Sequence, residues 1–406
     1  MPVIRERRFL RVKVDMVARC QLRCIMCHFA HPQFQESPVT MGGDLLEKVA
    51  NELFPRAHDV VLSSSAEPLM APDLPRALEL CRKHEVPWFH FSTNALSMTQ
   101  AIMDKVIDVQ MPLLTVSCDG MTKETFEKIR TPAKWEVFLR RFDLINERKL
   151  ARNSKTPQLS VTCVLMRSNI HEVPGMIRFF RERGVDYMNF VHMALMGGLG
   201  IEHESLMNDA KLCNRILAEA KQVADEVGMQ VQMPIPIAET FADAGVVTDQ
   251  KRSDEGGGFA LIAPTADLDR LASSREVNEY LDHKNREFLL KVSPRKQHNR
   301  PCYFPWYYIH VNPDGTVFPC GCWFEFTSFG DFKTQTFAEI WTGPKYKELR
   351  RQLYNMELRD VCANCSVANM GRPDVMASFS HRAKVRRGAG SGQPATQAAT
   401  TPPAAP

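Results

Sequence analysis

From Phe9 to about Pro236 the apolar positions follow two alternating rhythms. Short runs repeat every second residue, and longer runs repeat with the helical period. "FLRVKVDM" has the strand rhythm. "DLLEKVANELF" sets Leu45, Val49 and Leu53 on one helical face. The pattern then recurs: "DVVLSSS" as strand, "LPRALELCRKH" as helix, "VPWFHFSTN" as strand, and "MTQAIMDKVIDV" as a helix capped near Ser97 or Thr99. "PLLTVSCDG", "QLSVTCVLM" and "VDYMNFVHM" come next as strands. Between them lie the helices "WEVFLRRFDLINERK" and "EVPGMIRFFRERG", the latter closed by Gly184. Six such units predict an α/β fold over residues 9–236, a partial (β/α)6 TIM-like barrel of parallel strands. Folds of this kind keep their active sites at the carboxyl ends of the strands.

The rhythm weakens over residues 237–300, where "SDEGGGF" reads as a flexible loop and "VNEYLDHKNREFLLKV" as a helix. This stretch is expected to connect the barrel to the carboxyl-terminal part of the chain and to cover a substrate mouth. A second, small α+β cysteine-rich module is expected over residues 301–368. In it, "NPDG" is a strong turn signal between "YYIHV" and "TVFPC" and predicts a hairpin. Residues 382–406 are a Gly/Ala/Thr/Pro tail that cannot bury enough apolar surface to fold, and disorder is expected there.

The composition narrows the function. The chain has 406 residues, 44% of them apolar, and a net charge of +4 with both signs interspersed. There is no basic stripe for nucleic acid. No apolar run approaches the roughly 18 residues of a membrane span. The opening "RERR" is not followed by a signal-peptide core. A soluble, cytoplasmic protein is expected. Twelve cysteines in such a chain point to metal or redox chemistry rather than a disulfide framework.

Cys20, Cys24 and Cys27 crowd one loop after the first strand, "DMVARCQLRCIMCHFAHP". Three thiolates there can hold three irons of an iron–sulfur cubane and leave the fourth open to a ligand. Zinc is the alternative, with His28 or His31 as a fourth ligand. The polar neighbours Arg19, Gln21 and Arg23 argue against simple packing. "CQLRCIMC" resembles the CxxxCxxC signature of the radical S-adenosylmethionine (SAM) superfamily. That resemblance implies a [4Fe–4S] cluster whose open iron is chelated by SAM. It also implies reductive cleavage to a 5′-deoxyadenosyl radical that abstracts hydrogen from a substrate.

Further segments carry the resemblance. "SSSAEPLM" is similar to the family's GGEP motif, with Ser65 and Ala66 in place of the glycines. It implies that Glu67 and Pro68 lie at the SAM amino group. "FSTNALS" and "TVSCDG" are similar to the segments that line the SAM cleft, which brings in Thr93, Asn94, Ser117 and Asp119. "FEKIRTPAKWEVF" makes Arg130 the candidate for the SAM carboxylate. Met26 stands where many relatives have an aromatic residue near adenine. Read alone, STN and SCDG are ordinary strand-to-turn sequences whose polar residues cap helices. His192, ending the sixth strand, faces either the same mouth or the core.

Cys302, Cys320, Cys322, Cys362 and Cys365 make a second group around the predicted hairpin. By themselves they also describe a four-cysteine zinc site. The "EIW…LR" helix and closing CxxC resemble the SPASM/twitch extension of radical SAM enzymes. The two further cysteines of the longer pattern are absent after Cys365. The resemblance therefore implies one auxiliary [4Fe–4S] cluster on Cys302, Cys320, Cys362 and Cys365, with Cys322 able to replace one of them. It implies oxidation or modification of a small molecule or a peptide. It also implies an electron donor such as flavodoxin or ferredoxin, with neither nucleic acid nor membrane as partner. The alternative is a non-catalytic iron–sulfur or zinc protein of redox or structural role, favoured only by Ser65-Ala66. The scattered Cys81, Cys118, Cys163 and Cys213 fall in apolar patterns and are expected in the core.

Overall fold

The structure, a computed structural model, describes residues 8–32, 37–63, 65–194, 199–234, 236–237, 302–323, 327–355, 357–358 and 360–363. Most of the 237–300 segment, the 382–406 tail and Cys365 lie outside the described residues.

One ten-stranded sheet organises the molecule. Its parallel run comprises β1 (Leu10–Val14), β4 (Ala57–Leu62), β5 (Trp88–Thr93), β6 (Leu113–Ser117), β7 (Gln158–Leu165), β8 (Tyr187–His192) and β9 (Gln230–Gln232), in that spatial order. A separate short pair, β2 (Val17–Ala18) and β3 (Ser37–Thr40), brackets the cysteine loop. Helices α1 (Gly43–Leu53), α2 (Leu74–Lys83), α3 (Gln100–Asp108), α5 (Trp135–Ala151), α6 (Val173–Glu182) and α7 (Ala210–Val227) connect the strands. The six strands and the five barrel helices predicted from periodicity are present, and the helix predicted at "VNEYLDHKNREFLLKV" lies outside the described residues. Thr99 caps α3, its side chain accepting from Ile102 N. The periodicity did not give α4 (Lys123–Ile129), nor α7 with β9, which adds a seventh strand to the barrel edge.

The strands alternate although they are parallel, and the alternation shows how the sheet is used. Val12, Val14, Val60, Leu62, Phe89, Phe91, Leu114, Val116, Val161 and Phe190 are all at most 3% exposed and belong to one apolar core. Most intervening positions are polar or half-open, among them Arg11, Lys13, Asp59, His90, Ser92, Thr115, Thr162 and Asn189, while Val61 on β4 is apolar and 6% exposed. A sheet sealed on both faces would read as continuous apolar runs. Here one face carries the core, and the other is a polar concave wall. Arg11 and Asp59 pair across it at 2.9 Å.

The small carboxyl-terminal domain shares the barrel's sheet. Its hairpin strand β10 (Tyr308–Val311) pairs in parallel with β1, aligning Val12 with Ile309 and Lys13 with His310. β11 (Thr316–Phe318) and β12 (Gly330–Asp331) continue the sheet antiparallel. The predicted turn joins β10 to β11, and Gly315 takes φ 89° there, a conformation that glycine adopts freely. Helices α8 (Phe304–Tyr307), α9 (Phe337–Trp341), α10 (Pro344–Asn355) and α11 (Asp360–Ala363) complete the module. Thr336 and Glu339 form a capping box on α9. Among the described residues no helix is long and apolar enough to cross a membrane.

Candidate functional site

The mouth at the carboxyl ends of β1, β4, β5 and β6 gathers the predicted residues. Cys20, Cys24 and Cys27 are half-buried and form no disulfide. Backbone bonds tie their loop to the residues around Arg130: Arg23 N to Thr131 O at 2.7 Å and Ile25 N to Ile129 O at 3.0 Å. Burial pushes the Cys20 thiol up to about 11 and the Cys24 thiol up to about 12, and it also raises Cys27. His28 Nδ1 lies 3.7 Å from Cys27 Sγ. Among the described residues no three His, Cys, Asp or Glu side chains converge on a single-ion position.

Glu67 is 3% exposed, and its carboxylate is the knot of the second and third strand ends. One oxygen accepts from Thr93 Oγ1 at 2.5 Å and Leu69 N at 3.2 Å; the other accepts from Asn94 N at 2.9 Å. Burial raises the Glu67 carboxyl, and these donors oppose the shift. Pro68 opens a short 3-10 turn that Glu67 caps. Asn94 reaches the cysteine loop: its Nδ2 is 3.8 Å from Cys20 Sγ, and its Oδ1 accepts from Gln21 Nε2 at 3.1 Å. Thr93 and Asn94 therefore link the Glu67 segment to the first thiol.

Asp119 and Arg130 meet beside Cys24. Asp119 is fully buried and Arg130 is 6% exposed. Arg130 Nη2 lies 2.7 Å from Asp119 Oδ2. Asp119 Oδ1 accepts from Val164 N at 2.7 Å. Burial opposes the guanidinium charge, but the Asp119 carboxylate beside it holds its pKa above the usual value. Arg130 Nε is buried with no hydrogen-bond partner among the described residues. Ser117 is half-buried at the end of β6. Met26 packs with Ile129, Met166, Met193 and Ile201, an apolar floor beside the loop. His192 is half-buried at the end of β8.

The described cysteines of the second group are set by β10 and β11. Cys302 precedes α8, whose last residue adjoins the start of β10, and Cys320 lies just past the end of antiparallel β11. Both therefore flank the amino end of β10, away from the mouth. Cys302 and Cys320 are half-buried and free of disulfides, as is Cys362 on α11. α11 packs against the Gly321–Trp323 turn that holds Cys322. Cys365 lies outside the described residues. Cys81, Cys118, Cys163 and Cys213 are fully buried, as expected of core residues.

Sequence reasoning missed Asp15 and His310. Asp15 is 1% exposed and His310 is 5% exposed. His310 Nε2 lies 2.7 Å from Asp15 Oδ2. Asp15 directly precedes the cysteine loop, and a charged residue at a strand end was the available signal.

Residues 14–180 match the radical SAM superfamily, and residues 302–366 match the iron–sulfur cluster-binding SPASM domain. A probable GTP 3′,8-cyclase of Methanococcus maripaludis is 23% identical over 172 residues, covering 42% of this chain and 55% of that protein. A tungsten-containing aldehyde ferredoxin oxidoreductase cofactor-modifying protein of Pyrococcus furiosus is 25% identical over 192 residues, covering 43% of this chain and 49% of that protein. The chain thus spans about half the length of the curated relatives it matches. Among solved structures, native anSMEcpe with bound AdoMet superposes with a TM-score of 0.56 at 16% identity, covering 93% of this chain and 97% of that one. Streptococcus suis SuiB bound to S-adenosylmethionine gives 0.55 at 11% identity, covering 84% of this chain and 68% of that one. These likenesses establish the shared fold.

Proposed function

We propose, from the match of residues 14–180 to the radical SAM superfamily and of residues 302–366 to the SPASM iron–sulfur cluster-binding domain, that the chain is an enzyme that reductively cleaves S-adenosylmethionine and abstracts hydrogen from a substrate. One observation carries the reading most. Three disulfide-free thiols on the loop after β1 stand beside a buried guanidinium and the Glu67–Thr93–Asn94 knot. The donor set fits a [4Fe–4S] cluster: Cys20, Cys24 and Cys27 supply three ligands, and Arg130 supplies a buried positive charge beside them. When bound, the cluster would supply the electron that cleaves SAM to methionine and a 5′-deoxyadenosyl radical. The chain's own part is to orient SAM and keep water from the radical.

In this reading Glu67, Pro68, Thr93, Asn94, Ser117, Asp119 and Arg130 surround SAM. Glu67 works chiefly by fixing the Thr93–Asn94 segment, since its oxygens are engaged there. Cys302, Cys320, Cys362 and Cys365, with Cys322 as the substitute ligand, hold the auxiliary cluster, and a flavodoxin- or ferredoxin-type protein delivers the electron. The polar concave wall between the two cysteine groups suits a polar small molecule or a peptide backbone better than an apolar substrate. SuiB has been solved with its precursor peptide SuiA, and anSMEcpe with a Cp18Cys peptide.

The test is SAM cleavage. Protein reconstituted with iron and sulfide without oxygen is given SAM and dithionite, and 5′-deoxyadenosine is quantified. Product from the native chain, lost in Cys24→Ala, supports the reading. An intact native cluster that neither binds nor cleaves SAM overturns it.

A further inference from the structure

The loop at the end of β4 is held in an unusual way. Ser65 Oγ donates to Asp15 Oδ2 at 2.6 Å, and Ser65 N lies 3.4 Å from Asp15 Oδ1. The same Oδ2 is 2.7 Å from His310 Nε2, and Asp15 N donates to Val311 O at 2.9 Å. Glu67 N donates to Arg19 O at 3.1 Å, closing the loop onto the cysteine segment. A carboxylate 1% exposed thus joins three separate parts of the chain: the end of β1, the Ser65–Glu67 loop and strand β10 of the carboxyl-terminal module.

Burying this carboxylate is costly, and an apolar trio could serve stability as well. What charge-assisted bonds add is fixed geometry. Ser65 stands where the family motif has a glycine, and a glycine could make no side-chain bond to Asp15. We propose that Asp15 and His310 are positioning residues that set the Ser65–Glu67 loop for SAM, so that the carboxyl-terminal module acts on SAM affinity through β10. The proposal rests on the reading of that loop as the site of the SAM amino group. Asp15 and His310 need not touch SAM; they act through Ser65.

The test is SAM affinity of the reconstituted full chain, read by equilibrium binding and by the SAM-induced change in the reduced cluster's electron paramagnetic resonance signal. Ser65→Ala removes one hydroxyl from a half-buried loop. His310→Leu removes the imidazole, and His310→Gln returns an N–H donor near the Nε2 position. Losing a hydrogen bond to a charged group should weaken SAM binding about tenfold in Ser65→Ala and in His310→Leu. Gln should restore most of it. The double variant should be no weaker than the weaker single one, because both act through one carboxylate. Iron content and thermal midpoint are measured on each variant. Native SAM affinity in Ser65→Ala, or in His310→Leu with full iron content, overturns the proposal. So does equal loss in His310→Leu and His310→Gln. If native protein with an intact cluster fails to bind SAM, the proposed SAM-cleaving function falls, and this inference with it.

Discussion

Arg130 and Asp119 show what one buried contact does. The sequence marked each as a separate contributor to the SAM cleft. In the structure they pair at 2.7 Å with Asp119 fully buried. One lies just after β6 and the other just after α4, and no pattern of spacing records that they face each other. Removing one partner of such a pair leaves an uncompensated charge. Arg130→Met is expected to cost about 3–5 kcal/mol in urea unfolding of the cluster-free protein. Asp119→Asn combined with Arg130→Met should recover most of that, and a double variant no more stable than Arg130→Met would show that the pair is not the cause. The thiols give a second residue-level prediction. Burial lifts Cys20 to about 11 and Cys24 to about 12, so at neutral pH both are protonated. The reactive form is the thiolate, whose population rises tenfold per pH unit below the pKa. Alkylation of Cys24 in the cluster-free protein should therefore keep rising through pH 10. A rate that levels off near pH 9 would indicate an ordinary thiol.

At the scale of elements, the barrel was legible where one rhythm dominated. β1, β5 and β7 alternate because one face is core and the other a polar wall, and that alternation is plain in "FLRVKVDM" and "VPWFHFSTN". α7 was missed although its buried positions Cys213, Ile216, Leu217, Ala220, Val223 and Ala224 fall at good helical spacing. The strand pattern fades after the sixth strand because β9 is only three residues and carries two glutamines. The joining of β10 to β1 was invisible because the paired residues, such as Val14 and Val311, lie far apart in sequence. Close packing holds the outer edge of this extension. A Cβ on Gly330 of β12 would meet Ile340 Cγ1 of α9 at 2.6 Å, and Ile340 is 1% exposed. Gly330→Ala should lower stability by about 1–3 kcal/mol through overpacking, seen as a lower thermal midpoint. An unchanged midpoint would mean that α9 moves aside without cost.

For the whole molecule, the strand pair β1–β10 sets the two cysteine-bearing segments apart. The first three thiols lie beyond the carboxyl end of β1, whereas Cys302 and Cys320 flank the amino end of β10, which runs parallel to it. The paired strands between them span roughly 10 Å at 3.3 Å per residue, along the polar wall that carries Lys13, Asp59 and His90. A substrate on that wall would lie between the first cysteine loop at the mouth and Cys302 and Cys320 at the far end. Two clusters held by different segments should also load independently. Replacing Cys20, Cys24 and Cys27 together with Ala should abolish SAM cleavage and leave about four irons per chain on the second group. Those irons should keep the absorption and magnetic signature of a fully thiolate-ligated cluster. Zinc at the second group would leave the variant without labile sulfide, and the auxiliary cysteines would then be a structural site. No metal at all would mean that the second group depends on the first loop, against the separation the strands impose.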